Sequence, residues 1–211
     1  RRKDTAIESQ QKTVILQAVI IGIILVVGIG VTVFGVSGTW PFAVAVESDS
    51  MSPNLNVGDL VFIVEKDRAT PIVTAEEARA ENITSFGGYG DVIVYTPNGN
   101  THTTAFIHRV ISRVNATEAV DKYGFSPEGI EGGYITKGDN NNGEDQTLAF
   151  NGIGRMYPVR EDWVVGKAVS VIPFVGFIPM YIWQIAVVVL IILLVWEWNS
   201  KRIEWKEKRR G

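Results

Sequence analysis

The sequence predicts a mainly β domain held between two transmembrane helices, and three observations carry that expectation. Two long stretches contain no charged residue, one between Lys12 and Glu47 and one between Lys167 and Glu197. The chain between them breaks into short runs rich in Val, Ile and Tyr, bounded by Gly, Pro and Asn, as strands and turns are. The net charge of −3 conceals a division, with +2 on residues 1–36, −8 on 37–173 and +3 on 174–211.

In the first stretch, Val14–Phe34 is 21 residues long and only Gln17 and Thr32 are polar. About 20 apolar residues suffice to cross the hydrocarbon core as a helix. The run is too long for the apolar region of a signal peptide, and no small-residue cleavage site follows it. The chain starts at Arg1 without Met, which reads as a trimmed N-terminus. In the second stretch the best span is Ile178–Trp196, with Pro179 in its first turn and Tyr181, Trp183, Trp196 and Trp198 near its ends. Arg1, Arg2, Lys3 and Lys12 precede the first span. Lys201, Arg202, Lys206, Lys208, Arg209 and Arg210 follow the second. Basic flanks stay on the cytoplasmic side, so both termini are expected inside. The expected order is a cytoplasmic N-terminus at 1–13, a transmembrane helix at 14–36, an outer β domain at 37–173, a second transmembrane helix at 174–198 and a basic cytoplasmic tail at 199–211.

The outer domain has the size of a single unit. Strands are expected at 40–46, 59–64, 91–95, 104–114, 133–136 and 163–172. Asn98-Gly99 marks a turn. One short helix is expected from Thr74, because Thr74-Ala-Glu-Glu77 fits a capping box. Residues 65–90 and 115–132 read as surface insertions. Asn82-Ile-Thr84 and Asn115-Ala-Thr117 match the glycosylation sequon.

Composition excludes several chemistries. With no Cys there is no disulfide framework, thiolate metal site or cysteine nucleophile, and two His leave little for a histidine-rich metal centre. The acidic middle lacks the positive field that nucleic acid requires. No cofactor or metal is expected.

Three segments could carry chemistry. Glu47-Ser-Asp-Ser-Met-Ser-Pro53 interrupts a hydrophobic run with small polar residues, and Ser50 is a candidate nucleophile, although a lone serine is ordinarily a turn residue. His108 lies in a strand whose alternation puts Phe106, His108 and Val110 on one face; a half-buried imidazole there can act as a base or simply be a satisfied core group. His102 falls in a polar turn and reads as solvated. Thr136-Lys-Gly-Asp-Asn-Asn-Asn-Gly-Glu-Asp145 offers Asp139 and Asp145; calcium-loop spacing is not met, and the bland reading is a solvated turn.

Taken in order, these pieces resemble signal peptidase I of the archaeal and endoplasmic-reticulum type. The matching motifs are Ser48-Asp-Ser-Met-Ser-Pro53, Gly58-Asp59, Ile107-His-Arg-Val110, Thr136-Lys-Gly-Asp-Asn-Asn141 with Asp145, Trp163-Val-Val-Gly166 and Ile172-Pro-Phe-Val-Gly176. The resemblance covers roughly residues 14 to 180, and the approach from Pro158 to Trp163 with the two-span plan leans archaeal. It implies a signal peptidase-like β fold and a membrane-bound serine endopeptidase that removes signal peptides from exported preproteins. Ser50 would be the nucleophile, His108 the base and Ser48 an oxyanion donor. Asp145 is favoured to orient His108, with Asp139 next and Glu144 a neighbour to be weighed. The residues that bind substrate stay unassigned. Implied partners are signal peptides, membrane lipid and the protein-export translocon. The implied location is the cell membrane, or the reticulum membrane in a eukaryote. Another membrane-anchored Ser/His hydrolase, or a non-enzymatic anchored β domain, would share the same outline.

Overall fold

The computed structural model describes residues 2–208; Arg1 of the first basic flank and Arg209 and Arg210 of the second lie outside them. Helix α1 (Arg2–Ser37) contains an apolar part, Thr13–Ser37, long enough to cross a membrane. The domain follows as β1 (Ala43–Ala45), β2 (Leu60–Val64), α2 (Ala75–Glu81), β3 (Thr84–Ser85), β4 (Gly88–Tyr89), β5 (Val92–Tyr95), β6 (Phe106–Val114), α3 (Ala116–Tyr123), β7 (Gly133–Lys137), β8 (Ala149–Phe150), β9 (Gly154–Arg155) and β10 (Val164–Ile172). A single-turn helix α4 (Phe177–Met180) then precedes α5 (Ile182–Lys208), whose Ile182–Asn199 part is again of membrane length. The fold is mainly β with two apolar helices at its ends.

Six strands form one antiparallel sheet in the order β1-β2-β10-β5-β6-β7. The hairpins β3-β4 and β8-β9 stand outside it. Strand β10 returns through the middle and pairs with both β2 and β5. β5 explains the continuous apolar run Val-Ile-Val-Tyr, because its four residues are buried on both faces. Val92 and Val94 pack with Met51, Leu55, Val61 and Ile63, while Ile93 and Tyr95 pack with Val110, Met156 and Val159 on the other side.

The capping box at Thr74 forms. Thr74 Oγ1 accepts the Glu77 amide at 3.2 Å, and Glu77 Oε2 accepts the Thr74 amide at 2.8 Å. A second helix, α3, was not expected from the sequence. Asn115 Oδ1 accepts the Glu118 amide at 2.9 Å, and Glu118 Oε2 accepts the Asn115 amide at 2.8 Å. The signature Asn-x-x-Glu was present, but Asn115 had been read only as a sequon. Ala119 and Tyr123 of α3 are buried with Val114, Phe125 and Ile135, so this insertion carries its own small core. The second apolar helix also begins later than Ile178. Pro179 falls in the separate turn α4, and Tyr181 (φ −113°, ψ 18°) leaves helical geometry before α5 starts.

Both apolar helices are tied to the domain close to one end of the sheet. Arg68 donates to the Gly35 carbonyl at 2.7 Å, satisfying a helix-end acceptor that has no intrahelical partner. The Glu65 amide donates to the Ser37 carbonyl at 2.8 Å. At the exit, the Phe174 amide donates to Asp59 Oδ1 at 3.4 Å. The Phe177 ring lies against Gly58 (φ 89°), where a Cβ would come within 2.2 Å of the ring. The Gly58-Asp59 turn, a few residues beyond Ser50, is thus stapled to the second membrane connection.

Thr74→Ala removes one half of the α2 capping box. It is expected to lower unfolding stability by about 1 kcal/mol, measured as a shifted denaturant midpoint with unchanged slope in detergent.

Candidate active site

Three distant segments meet at one end of β6. The first is the turn after β1. Its amides close on themselves, with Ser52 N donating to Asp49 O and both Asn54 N and Leu55 N donating to Met51 O, each at 3.0 Å. Met51 and Leu55 are fully buried and anchor this turn in the core, leaving Ser50, directly before Met51, at the surface of a groove. The second segment is β6, which holds His108 at 4% exposure. The third is the loop after β7, which carries Asp139 and Asp145.

His108 Nε2 lies 3.1 Å from Ser50 Oγ, and His108 Nδ1 lies 2.6 Å from Asp145 Oδ2. A carboxylate can only accept, so Nδ1 carries the hydrogen and the lone pair of Nε2 faces the Ser50 hydroxyl. Ser48 Oγ is 3.2 Å from Ser50 Oγ. With the Ser50 proton aimed at His108, the Ser48 hydroxyl is the donor in that contact. Asp145 is fully buried, and its Oδ2 also accepts from Thr136 Oγ1 at 2.7 Å and Tyr95 Oη at 2.9 Å. Its Oδ1 is buried without a hydrogen-bond partner among the described residues. The donors therefore converge on the one oxygen that faces the imidazole. A serine hydroxyl, an imidazole and a buried carboxylate in this order can raise the nucleophilicity of the hydroxyl.

The chain is similar in sequence to several proteins of known name. The chain is 30% identical over 137 residues to the signal peptidase complex catalytic subunit SEC11 of Colletotrichum graminicola, a match covering 65% of this chain and 61% of that protein. It is 29% identical to the corresponding subunit of Neurospora crassa and 28% identical to that of Tuber melanosporum, with the same coverage of both chains. The chain is thus similar to proteins named as catalytic subunits of the signal peptidase complex. The match spans about 61% of the length of those curated relatives, which are fungal. No protein-family model matches the chain.

The two loop aspartates have different surroundings. Asp139 receives Arg109 Nε and Nη2 at 2.7 Å each and Asn54 Nδ2 at 2.8 Å; none of these bonds reaches His108. Arg109 is buried beside His108 and also donates to the carbonyls of Ser85, Phe86 and Gly90. Asn140 N donates to the Ser50 carbonyl at 2.8 Å. Gly138 permits this approach, since a Cβ there would stand 2.6 Å from that carbonyl oxygen. Asp139 thus clamps the Ser50 turn to the strand that holds His108. Glu144 accepts from Tyr123 Oη at 2.8 Å and is directed away from the imidazole network. His102 is exposed.

A groove of about 660 Å³ opens in front of Ser50 and His108. Val44 and Ala45 line one side and Thr104 to Ile107 another. Strand β7 pairs with β6 only from Arg109 onward, so the edge at Phe106–His108 is open on that side. Strand β1 is itself a sheet edge. Among the described residues there is no cluster of His, Asp and Glu suited to a metal ion.

Sequence reasoning passed over Tyr95, Thr136, Arg109 and Gln146. Arg109 and Thr136 stand inside motifs, Gln146 follows Asp145 and Tyr95 lies in a strand, but what each does depends on a partner from another element. Burial pushes the Tyr95 phenol well above its ordinary value, and the nearby Asp145 charge pushes the same way. Between the unfolded value, about 10, and that raised value, the folded state holds the proton more tightly. Stability should therefore fall as pH rises above about 10. Thermal unfolding followed between pH 9 and 11 should show a shallower loss for Tyr95→Phe than for wild type.

Proposed function

We propose that this protein is a membrane-anchored serine endopeptidase that removes N-terminal signal peptides from exported preproteins. The observation that carries this reading is the Ser50–His108–Asp145 relay, opening on a strand-edged groove, in a homologue of signal peptidase catalytic subunits.

His108 Nε2 takes the proton of Ser50 as Oγ attacks the scissile carbonyl, and Asp145 stabilises the imidazolium that forms. The Ser50 amide and the Ser48 hydroxyl, turned from Ser50 toward the substrate, hold the oxyanion; one such donor is worth about 3 kcal/mol. The imidazolium then protonates the leaving amine, which departs as the N-terminus of the mature protein. Water, deprotonated by His108, attacks the acyl-enzyme; the bond to Ser50 Oγ breaks, Oγ takes the proton back from His108, and the signal peptide leaves with a new carboxylate. Asp139 supports this reaction from a distance by positioning the Ser50 turn.

Substrate adds as a strand between the free edge of β1 and the open edge of β6, so main-chain hydrogen bonds supply affinity and alternate side chains enter the groove. The apolar parts of α1 and α5 anchor the enzyme in the membrane, with the β domain outside and the basic terminal segments in the cytoplasm. Trp40, Phe174 and Trp183 are strongly exposed near the domain's two membrane connections, where aromatic side chains favour the lipid interface. The membrane is the cell membrane, or that of the endoplasmic reticulum in a eukaryote, and the protein-export translocon delivers the substrate.

Cleavage of a preprotein in liposomes tests this reading. Ser50→Ala and His108→Ala should abolish cleavage, and Asp145→Asn should lower kcat by roughly three to four orders of magnitude. Asp139→Asn should retain measurable activity, because it loosens the clamp and leaves the relay intact. Full cleavage by Ser50→Ala would refute the assignment. A generic ester cut as readily as the preprotein would favour a broader hydrolase.

A further inference from the structure

The β8–β9 hairpin has no part in the six-stranded sheet, yet it reaches the groove. It begins directly after the turn Asp145–Thr147, so the carboxylate on His108 and the side chain of Phe150 are only a few residues apart on one short segment. Phe150 stands edge-on to Phe106 with centroids 5.1 Å apart and planes at 76°. Phe106 stands edge-on to His108 at 5.4 Å and 69°. The three rings form one continuous wall of the groove, ending at the imidazole.

This segment is held firmly at its base. Gln146 is fully buried, accepts the Thr136 amide at 3.0 Å and donates to the Tyr157 carbonyl at 3.3 Å. Arg155, paired opposite Ala149, donates to the Gln146 carbonyl at 3.2 Å and to the Tyr123 carbonyl. Its guanidinium lies 4.1 Å from the Phe125 ring centroid. Moving the hairpin as a unit would therefore break the hydrogen bonds of Gln146 and Arg155. Val44 and Ala45, which also line the groove, belong to β1, whose pairing with β2 fixes their place. The groove is thus lined by both a sheet edge and an aromatic ring.

We propose that Phe150 is the specificity-determining wall of the groove and limits the size of the substrate side chain seated beside His108. The assignment rests on the signal-peptide-cleaving function proposed above. Small side chains fit between the Phe106–Phe150 wall and β1. A branched or aromatic side chain meets the Phe150 ring and cannot bring its carbonyl to Ser50. Replacing the ring opens space at that point and leaves Ser50, His108 and Asp145 in place.

The test uses the full-length protein in liposomes and preproteins carrying Ala or Leu at the residue before the scissile bond, or at the third residue before it. The readout is the ratio of kcat/KM for Leu to that for Ala. Phe150→Ala is expected to raise this ratio at one of the two positions by about 10-fold or more, with Phe150→Leu intermediate. A variant with a merely weakened structure would lose cleavage of both substrates together and keep the ratio. Should Phe150→Ala fail to fold, the conservative Phe150→Leu carries the comparison. Wild-type ratios in the folded variants at both positions, from an enzyme that cuts the Ala preprotein, would overturn the role of Phe150 alone. A wild-type protein that leaves the Ala preprotein uncut, as Ser50→Ala does, would overturn the proposed function and this assignment with it.

Discussion

One buried oxygen organises the end of the domain where the groove opens. Asp145 Oδ2 accepts from His108, Thr136 and Tyr95, which belong to β6, β7 and β5, while Asp145 itself opens the turn toward the β8–β9 hairpin. Burying a carboxylate is costly unless donors replace the lost water, and hydrogen bonds to a charged group contribute about 1.5–3 kcal/mol each. The three bonds are therefore a condition for keeping the charge inside. They also pin three adjacent strands to one point, so the orientation of the imidazole and the register of the sheet are satisfied by the same contacts.

The neighbouring pair Arg109–Asp139 performs a different task with the same economy of position. Alternation along β6 sends His108 to one face and Arg109 to the other. His108 meets Ser50 and Asp145, while Arg109 gathers Asp139 and the carbonyls of the insertion after α2. Through Asn54 and the Ser50 carbonyl, the Asp139 loop then holds the Ser50 turn. Asp59 ties the end of that stretch to the approach of α5. The Gly-Asp pairs at 58–59, 90–91 and 138–139 share one logic: the glycine allows a close approach and the aspartate accepts from chain far away in sequence. Asp91 follows it by accepting the Val73 amide and pairing with Lys167.

The fold was legible where a local signal had a single physical meaning. Long uncharged runs, strand-like Val/Ile stretches and the Thr74 capping box each specify their own conformation. The α3 helix was missed because Asn115 fits two patterns, a sequon and an N-cap, and its core partners Phe125 and Ile135 come from later segments. The start of α5 was displaced because apolar composition alone does not reveal that Pro179 and Tyr181 interrupt the helix. At the candidate site, Ser48, Ser50, His108 and both aspartates are all visible within motifs, whereas Tyr95 looks like an ordinary strand residue and nothing about Thr136, at the head of its motif, marks its hydroxyl as a donor. Nothing in their neighbours announces a buried carboxylate between them.

By itself, then, the sequence determined the order of the six sheet strands along the chain, the acidic β domain between apolar helices, and the residue types available for chemistry. These follow from hydrophobic length, alternation and charge, which act over a few residues. Only the tertiary structure decided which aspartate faces the imidazole and which one clamps the turn. Asp139 and Asp145 sit in one polar loop, and their roles diverge because β6 places His108 and Arg109 on opposite faces. It also decided that Phe150 faces the groove. That outcome depends on a hairpin held by Gln146 and Arg155, whose partners lie in segments that periodicity cannot connect.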